Sequence, residues 1–207
     1  MANGCCSFVL RVNLISGQPA LEQPVELSIP GTHAVENALA ASACALAAGA
    51  SLEQIAAGLG LVSAIAGRLE FKPLANNSAV IDDSYNASPS SFRAAIDVLA
   101  NRAGRKILVM GDMAELGEDS INMHSEVGAY ALEAGIDALY AVGEQSASAC
   151  AAFGGNHFQS RELLATAVAQ ELSRASADNR PVTFLVKGSR SAGMEKIVEH
   201  LITRGNT

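Results

Sequence analysis

The sequence has no excess of positive charge. Its 14 Lys and Arg are outnumbered by 21 Asp and Glu, for a formal net charge of −7 at pH 7. Binding nucleic acid through bulk charge needs a basic face, so that class of function is excluded. A phosphate-bearing substrate has to be held locally, by a few placed cations and backbone N–H groups. Long hydrophobic runs are also missing. The longest mostly apolar stretch, Ala38 to Ala50, is alanine-dominated and interrupted by Ser42, and it is shorter than the ~20 residues a bilayer span needs. The opening MANGCCSFVLRVN lacks a basic segment followed by an apolar one, so no signal peptide is read and a cytoplasmic protein is expected. The 4 cysteines, Cys5, Cys6, Cys44 and Cys150, form no CxxC pair and no Cys/His cluster. Zinc is therefore not expected, and Cys5 and Cys6 read as plain thiols. His33, His124, His157 and His200 lie far apart. GxSxG, HExxH and GxGxxG are all absent, which leaves serine hydrolase, zincin and dinucleotide-binding readings without a motif. The dipeptide Gly-Lys occurs nowhere, so the sequence holds no GxxxxGK[ST] phosphate loop.

What is present is core. Hydrophobic residues make up 49% of 207, which excludes disorder and suits one large domain or one plus a fraction. Residues 1–66 hold two short extended segments, Phe8–Ile15 and Val25–Ile29, and two helical patterns. In the first, after Thr32, Val35, Leu39, Ala43 and Leu46 recur at helical spacing, and Gly49 ends it. Ser51 with Gln54 three residues later fits a capping box at the start of the second. From Gly67 onward, strands and helices alternate. Apolar runs at Ala79–Ile81, Ile107–Met110, Ala138–Val142 and Val182–Val186, with Arg68–Leu74 as an alternating strand, are separated by helical stretches. These are Pro89–Ala100, Ser120–Ala134, Gln145–Ala152, Arg161–Ser173 and Met194–Ile202. Continuous apolar strands between helices mean a mostly parallel sheet covered on both faces. The expected fold is therefore α/β: a doubly wound, Rossmann-like domain at 67–207. The segment 1–66 is too thin to enclose a core alone.

In such a sheet, ligands bind outside the carboxyl ends of the strands, and the polar residues collect there. Ile81 is followed by Asp82-Asp83-Ser84-Tyr85-Asn86, and Met110 by Gly111-Asp112-Met113-Ala114-Glu115-Leu116-Gly117. Val142 is followed by Gly143-Glu144, and Val186 by Lys187-Gly188-Ser189-Arg190-Ser191. The paired aspartates suit ribose hydroxyls or Mg²⁺, or simply cap the turn that follows. Adjacent strand residues point to opposite faces, so one of the two faces a ligand. Lys187 and Arg190 before a helix suit a carboxylate or phosphate. The acidic Gly111–Gly117 loop suits an ammonium group, and His124 is placed to face the same cleft.

Six stretches resemble a known family: PGTHAVENALAASA (30–43), AGRLE (66–70), IDDSYNASPSSFRAAIDVL (81–99), VMGDMAELGE (109–118), HSEVG (124–128) and LVKGSRSAGMEKIV (185–198). They resemble the C-terminal part of Mur ligases, in family order. The DDSYN, GDMAELGE and KGSRSAxME combination resembles the branch that adds D-alanyl-D-alanine to UDP-N-acetylmuramoyl-tripeptide. The resemblance implies an ATP-dependent amide ligase of peptidoglycan precursor synthesis: ATP phosphorylates a carboxylate, and the dipeptide amine attacks the acyl phosphate. It implies nucleotide contacts at His33, Asn37, Arg68, Asp83, Tyr85 and Asn86, with Ala34 standing where the family has its first Asn. Arg68 and Lys187 are the implied catalytic cations. Asp112, Met113, Glu115, His124, Ser189 and Arg190 fall on the side that receives the dipeptide. ATP and Mg²⁺ are the implied cofactors, with most metal ligands, the phosphate loop and the UDP-sugar site expected in family domains absent from this sequence. Residues 1–66 then read as the end of the central ATP-binding domain and 67–207 as the C-terminal domain. The chain by itself is expected to be inactive.

Two other readings compete. One is a non-catalytic nucleotide-binding or interaction fragment. The other is a receiver-type phosphoacceptor domain, which Asp82-Asp83, Asp112 and Lys187 imitate, although Asp112 ends the next strand where a receiver's acceptor comes one strand later.

Overall fold

The computed structural model describes residues 6–13, 20–29, 32–63 and 65–205, with Thr32 and His33 described by backbone alone. The chain divides into two compact units, Met1–Ala64 and Ile65–Thr207.

In the first unit, β1 (Cys6–Val12) pairs antiparallel with β2 (Leu21–Leu27), from Cys6 opposite Leu27 to Val12 opposite Leu21. Helices α1 (Thr32–Ala47) and α2 (Leu52–Gly60) follow. At Ser51 the capping box forms: its hydroxyl accepts the Gln54 N–H at 3.2 Å, and Gln54 Oε1 accepts the Ser51 N–H at 2.9 Å. Leu10, Val25, Leu27, Ala34, Ala38, Leu52 and Ile55 make a small core. The buried stripe of α1 is displaced by one residue from the expected one. Ala34, Ala38 and Ser42 face inward, while Leu39 is 45% exposed. An alanine-rich helix has little apolar asymmetry, so the face that permits the closest approach is the one buried. Ser42 satisfies its hydroxyl on the Ala38 carbonyl at 2.6 Å. Ile15, which was expected to end the first strand, lies outside the described residues.

The second unit is the expected α/β architecture. Its strands are β3 (Glu70–Pro73), β4 (Ala79–Asp83), β5 (Arg105–Gly111), β6 (Ala138–Val142), β7 (Asn156–Phe158) and β8 (Val182–Lys187). Their order is β3-β4-β8-β5-β6-β7; β3 runs antiparallel at one edge and the rest are parallel. Two cores sandwich the sheet. On one face lie α3 (Pro89–Ala100), α4 (Ser120–Glu133) and α5 (Ser146–Phe153), packed through Phe92, Ile96, Val127 and Ala149. On the other lie α6 (Arg161–Ala177) and α7 (Glu195–Gly205), packed through Leu164, Val168, Ile197 and Leu201. Strands β4 and β8 are buried along their whole length, as continuous apolar runs in a covered parallel sheet should be. β7 was not expected: its three residues, Asn156-His157-Phe158, are too few and too polar to show a strand pattern. The last parallel strand, β8, sits between β4 and β5. In the receiver order 2-1-3-4-5 the last strand is at an edge, so this sheet is not a receiver's.

Candidate functional site

Two groups of side chains assemble at the carboxyl edge of the sheet. The first begins with register: Asp83, ending β4, stands opposite Lys187, ending β8. The Lys187 ammonium, 2% exposed, closes on Asp83 Oδ2. It also donates to the Asn86 carbonyl at 2.9 Å and lies 5.4 Å from the centre of the Phe92 ring. Burial pushes its pKa below that of an ordinary lysine, and nearby Arg68 adds to this; the Asp83 charge pulls the other way. The second Asp83 oxygen accepts the Leu69 N–H at 3.0 Å, and Tyr85 N–H donates to the Gly67 carbonyl at 2.9 Å. These two ties fix the Gly67–Leu69 turn against the end of β4. They hold the Arg68 guanidinium 4.6 Å from the centre of the Tyr85 ring. Arg190 approaches the same ring to 5.8 Å. Among the described residues neither arginine makes an ion pair within 4.0 Å. Two exposed guanidiniums on one exposed aromatic form a ready seat for an anion.

Arg68, the Asp83–Asn86 stretch with Tyr85, and Lys187, from three separate parts of the sequence, are thus brought together. Their parts differ from expectation in one respect. Lys187, expected as a catalytic cation, is buried in its ion pair, where it holds the Asp83 carboxylate in place. Asp82 turns elsewhere: its Oδ1 accepts from the Ser84 hydroxyl at 2.6 Å and from the Ser84 N–H at 3.2 Å. Asn37 is an exposed residue of α1 in the first unit, and the His33 side chain lies outside the described residues.

The second group lines a cavity of about 430 Å³. The loop after β5 supplies Asp112, the loop after β6 Gly143, the start of α6 Ser160 and Arg161, and the turn after β8 Ser191 and Ala192. Asp112 caps α5, accepting the Ser146 N–H at 2.7 Å and the Gln145 N–H at 3.3 Å. Gly143 is required beside it. Its φ is +117°, and a Cβ there would stand 2.3 Å from an Asp112 carboxylate oxygen. The Asp112 carbonyl accepts the Ser189 N–H at 2.8 Å, joining the loops after β5 and β8.

Of the six residues expected to touch the dipeptide, five do not line this cavity. Met113 is 3% exposed and His124 fully buried. His124 Nε2 accepts the Met113 N–H at 2.9 Å, so the proton is on Nδ1, which donates to the Ser120 carbonyl at 2.7 Å. His124 thereby acts as a strut for the loop. Ser189 is 2% exposed, with its hydroxyl 3.1 Å from that of Ser191. Glu115 is exposed at φ +61° but lies outside the cavity lining, as does Arg190 on the Tyr85 side. Ser160 and Arg161 were not singled out from the sequence, whereas Ser191 stood in the polar run after Val186. The available signal was Ser160 standing just before the Arg161 helix, where it is the N-cap and accepts the Leu163 N–H at 3.3 Å. Among the described residues no group of three or more His, Cys, Asp or Glu is placed to hold a metal ion, and no helix is long and apolar enough to cross a membrane.

A profile of the Mur ligase, glutamate ligase domain matches residues 67–190, which hold every residue of both groups except Ser191 and Ala192. The chain belongs to the Mur ligase family. It is 46% identical over 182 residues to UDP-N-acetylmuramoyl-tripeptide--D-alanyl-D-alanine ligase of Escherichia coli (strain K12), a match covering 87% of this chain and 39% of that protein. The enzyme of the same name from Haemophilus influenzae is 38% identical over 179 residues, covering 86% of this chain and 39% of that protein. The chain therefore spans about two fifths of the length of these curated relatives. Among solved structures, MurF from Acinetobacter baumannii superposes with a TM-score of 0.79 at 37% identity, over 88% of this chain and 40% of that one. MurF ligase from Thermotoga maritima in complex with ADP superposes at 0.72 with 21% identity, over 96% of this chain and 46% of that one, a likeness of fold alone.

Proposed function

We propose that this chain is the C-terminal portion of an ATP-dependent ligase that joins D-alanyl-D-alanine to UDP-N-acetylmuramoyl-tripeptide through an acyl phosphate. In this reading residues 1–66 are the end of the central ATP-binding domain and 67–207 the C-terminal domain. One observation carries it. A chain 46% identical to a protein of that name gathers two exposed arginines on one exposed tyrosine, with an aspartate, at the carboxyl edge of its sheet, beside a separate polar cavity.

The roles follow from the geometry. Arg68 and Arg190 on Tyr85 present positive charge to the nucleotide phosphates and to the phosphoryl group in transfer, where placed cations lower the barrier most. Asp83 has two ties within the chain, to Leu69 and Lys187. A carboxylate has about four lone-pair sites, so capacity remains for a ribose hydroxyl. Asn86, exposed next to Tyr85, borders the base. The cavity holds the dipeptide acceptor so that its amine meets the acyl phosphate in a fixed orientation, which is where most of the catalytic gain from positioning arises. Mg²⁺ has no ready site among the described residues, where no group of three or more His, Cys, Asp or Glu is placed to hold it. No step is assigned to the metal here.

The test is a chimera. The matching segment of the Escherichia coli relative is replaced by this chain, and ATP-dependent formation of the dipeptide amide is followed by mass spectrometry. Product is expected with D-alanyl-D-alanine. A folded chimera that binds ATP yet makes no amide would overturn the reading.

A further inference from the structure

Among the described residues the cavity has one cation in its lining, and it lies on neither the Gly111–Gly117 loop nor the Lys187–Arg190 segment. Lys187 is sealed against Asp83, and Arg190 is turned to Tyr85. The remaining cation is Arg161, the first residue of α6. Among the described residues its guanidinium makes one hydrogen bond, Nη1 to the Ala192 carbonyl at 3.2 Å, and no ion pair. It is half-buried. Space is kept for it by Gly193, at φ +62°, where a Cβ would meet Arg161 Nη1 at 2.0 Å. The guanidinium is thus held at one corner by the turn after β8, with four of its five N–H donors unspent. The positive end of a 17-residue helix lies beneath it. The acids around it divide in two. Asp112 spends both oxygens on the start of α5, while Glu162 is exposed at the rim. One half-buried cation and one rim carboxylate match a small zwitterion in charge and in sense.

We propose that Arg161 reads the free carboxylate of the acceptor dipeptide and so sets the enzyme's preference for an acceptor with an unblocked C-terminus. This rests on the cavity being the acceptor site. A planar guanidinium with adjacent free donors binds a carboxylate in two parallel hydrogen bonds. A C-terminal amide brings no charge and only one acceptor oxygen. The turn Arg190–Ala192 (a short 3₁₀ helix) places Arg190 on the nucleotide side and Ser191 on the cavity side. A dipeptide anchored at Arg161 therefore has its amine end free to point away from the anchor.

The experiment is a titration of the ¹⁵N-labelled 207-residue chain, followed by NMR, with D-alanyl-D-alanine and with its C-terminal amide. The free dipeptide is expected to shift the Gly143, Glu162 and Ser191 amides, and the amide form to bind about tenfold more weakly. In Arg161→Gln the two ligands should bind alike. In Arg161→Lys, which keeps the charge, part of the preference should return. If Arg161→Gln keeps the wild-type preference, Arg161 is not the reader, though the cavity remains the acceptor site. If neither ligand shifts the cavity amides, the acceptor reading of the cavity falls and the proposal with it.

Discussion

Lys187 shows how little a residue's type reveals about its use. A lysine after a buried strand resembles a catalytic cation, yet the fold encloses it and spends it on Asp83 and the Asn86 carbonyl. Arg68 is the reverse: an arginine in a turn, held by its neighbours against Tyr85 and, among the described residues, in no ion pair. In a longer protein that carries the preceding domain, Arg68→Ala is expected to cost roughly 2–4 kcal/mol of transition-state stabilisation, seen as a fall in kcat/KM. An unchanged kcat/KM would remove Arg68 from the mechanism. His124 belongs to stability instead. His124→Ala would leave the Met113 N–H buried without its acceptor, so a loss of about 1–3 kcal/mol in urea unfolding is expected. Asp83, Tyr85 and Asn86 were legible in the sequence because they sit in a dense polar run at the end of a strand, whereas Arg68, in the turn before β3, was reached only through the resemblance carried by AGRLE (66–70). Arg161 was not legible, because an arginine at a helix start looks like a surface charge until the turn after β8 is folded over it.

Among the elements, the helices were the most legible. Pro89–Ala100 is observed to the residue, since Ser88 and Pro89 mark its start and a capping box with Ser91 secures it. The strand β7 and the true buried face of α1 were not legible, because a three-residue polar strand and an alanine helix carry almost no periodic signal. Helix α5 makes a pH prediction. Cys150, on its inner face and 5% exposed, has its thiol pushed up from 9.0 to about 11 by burial. The folded state thus keeps the thiol proton where the unfolded chain has lost it. The contribution of Cys150 is fully present below pH 9 and declines as the pH rises towards 11. Cys150→Ala is expected to flatten the stability profile between those values in thermal unfolding, against wild type. A wild-type slope retained in the variant would show that other groups set it.

At the scale of the molecule, the striking lack is also a prediction in itself: the sequence contains no Gly-Lys pair and hence no phosphate loop. Phosphate release by the isolated chain, with ATP and D-alanyl-D-alanine present, is expected to stay at background. Turnover above background would require a phosphate cradle of another kind. The alternation of apolar runs and helical stretches was enough to determine the α/β class and most strand positions, because burial on both faces of a parallel sheet demands continuous apolar segments. It also placed the polar residues at the carboxyl ends. Strand order was beyond its reach. Local periodicity carries no information about which strand lies beside which, and it is the insertion of β8 between β4 and β5 that sets Lys187 against Asp83 and the Ser191 turn against Asp112. The sequence by itself determined which residues are polar at strand ends. Only the tertiary structure decided which of them are spent on one another and which are left facing outward, because that depends on contacts between segments about a hundred residues apart.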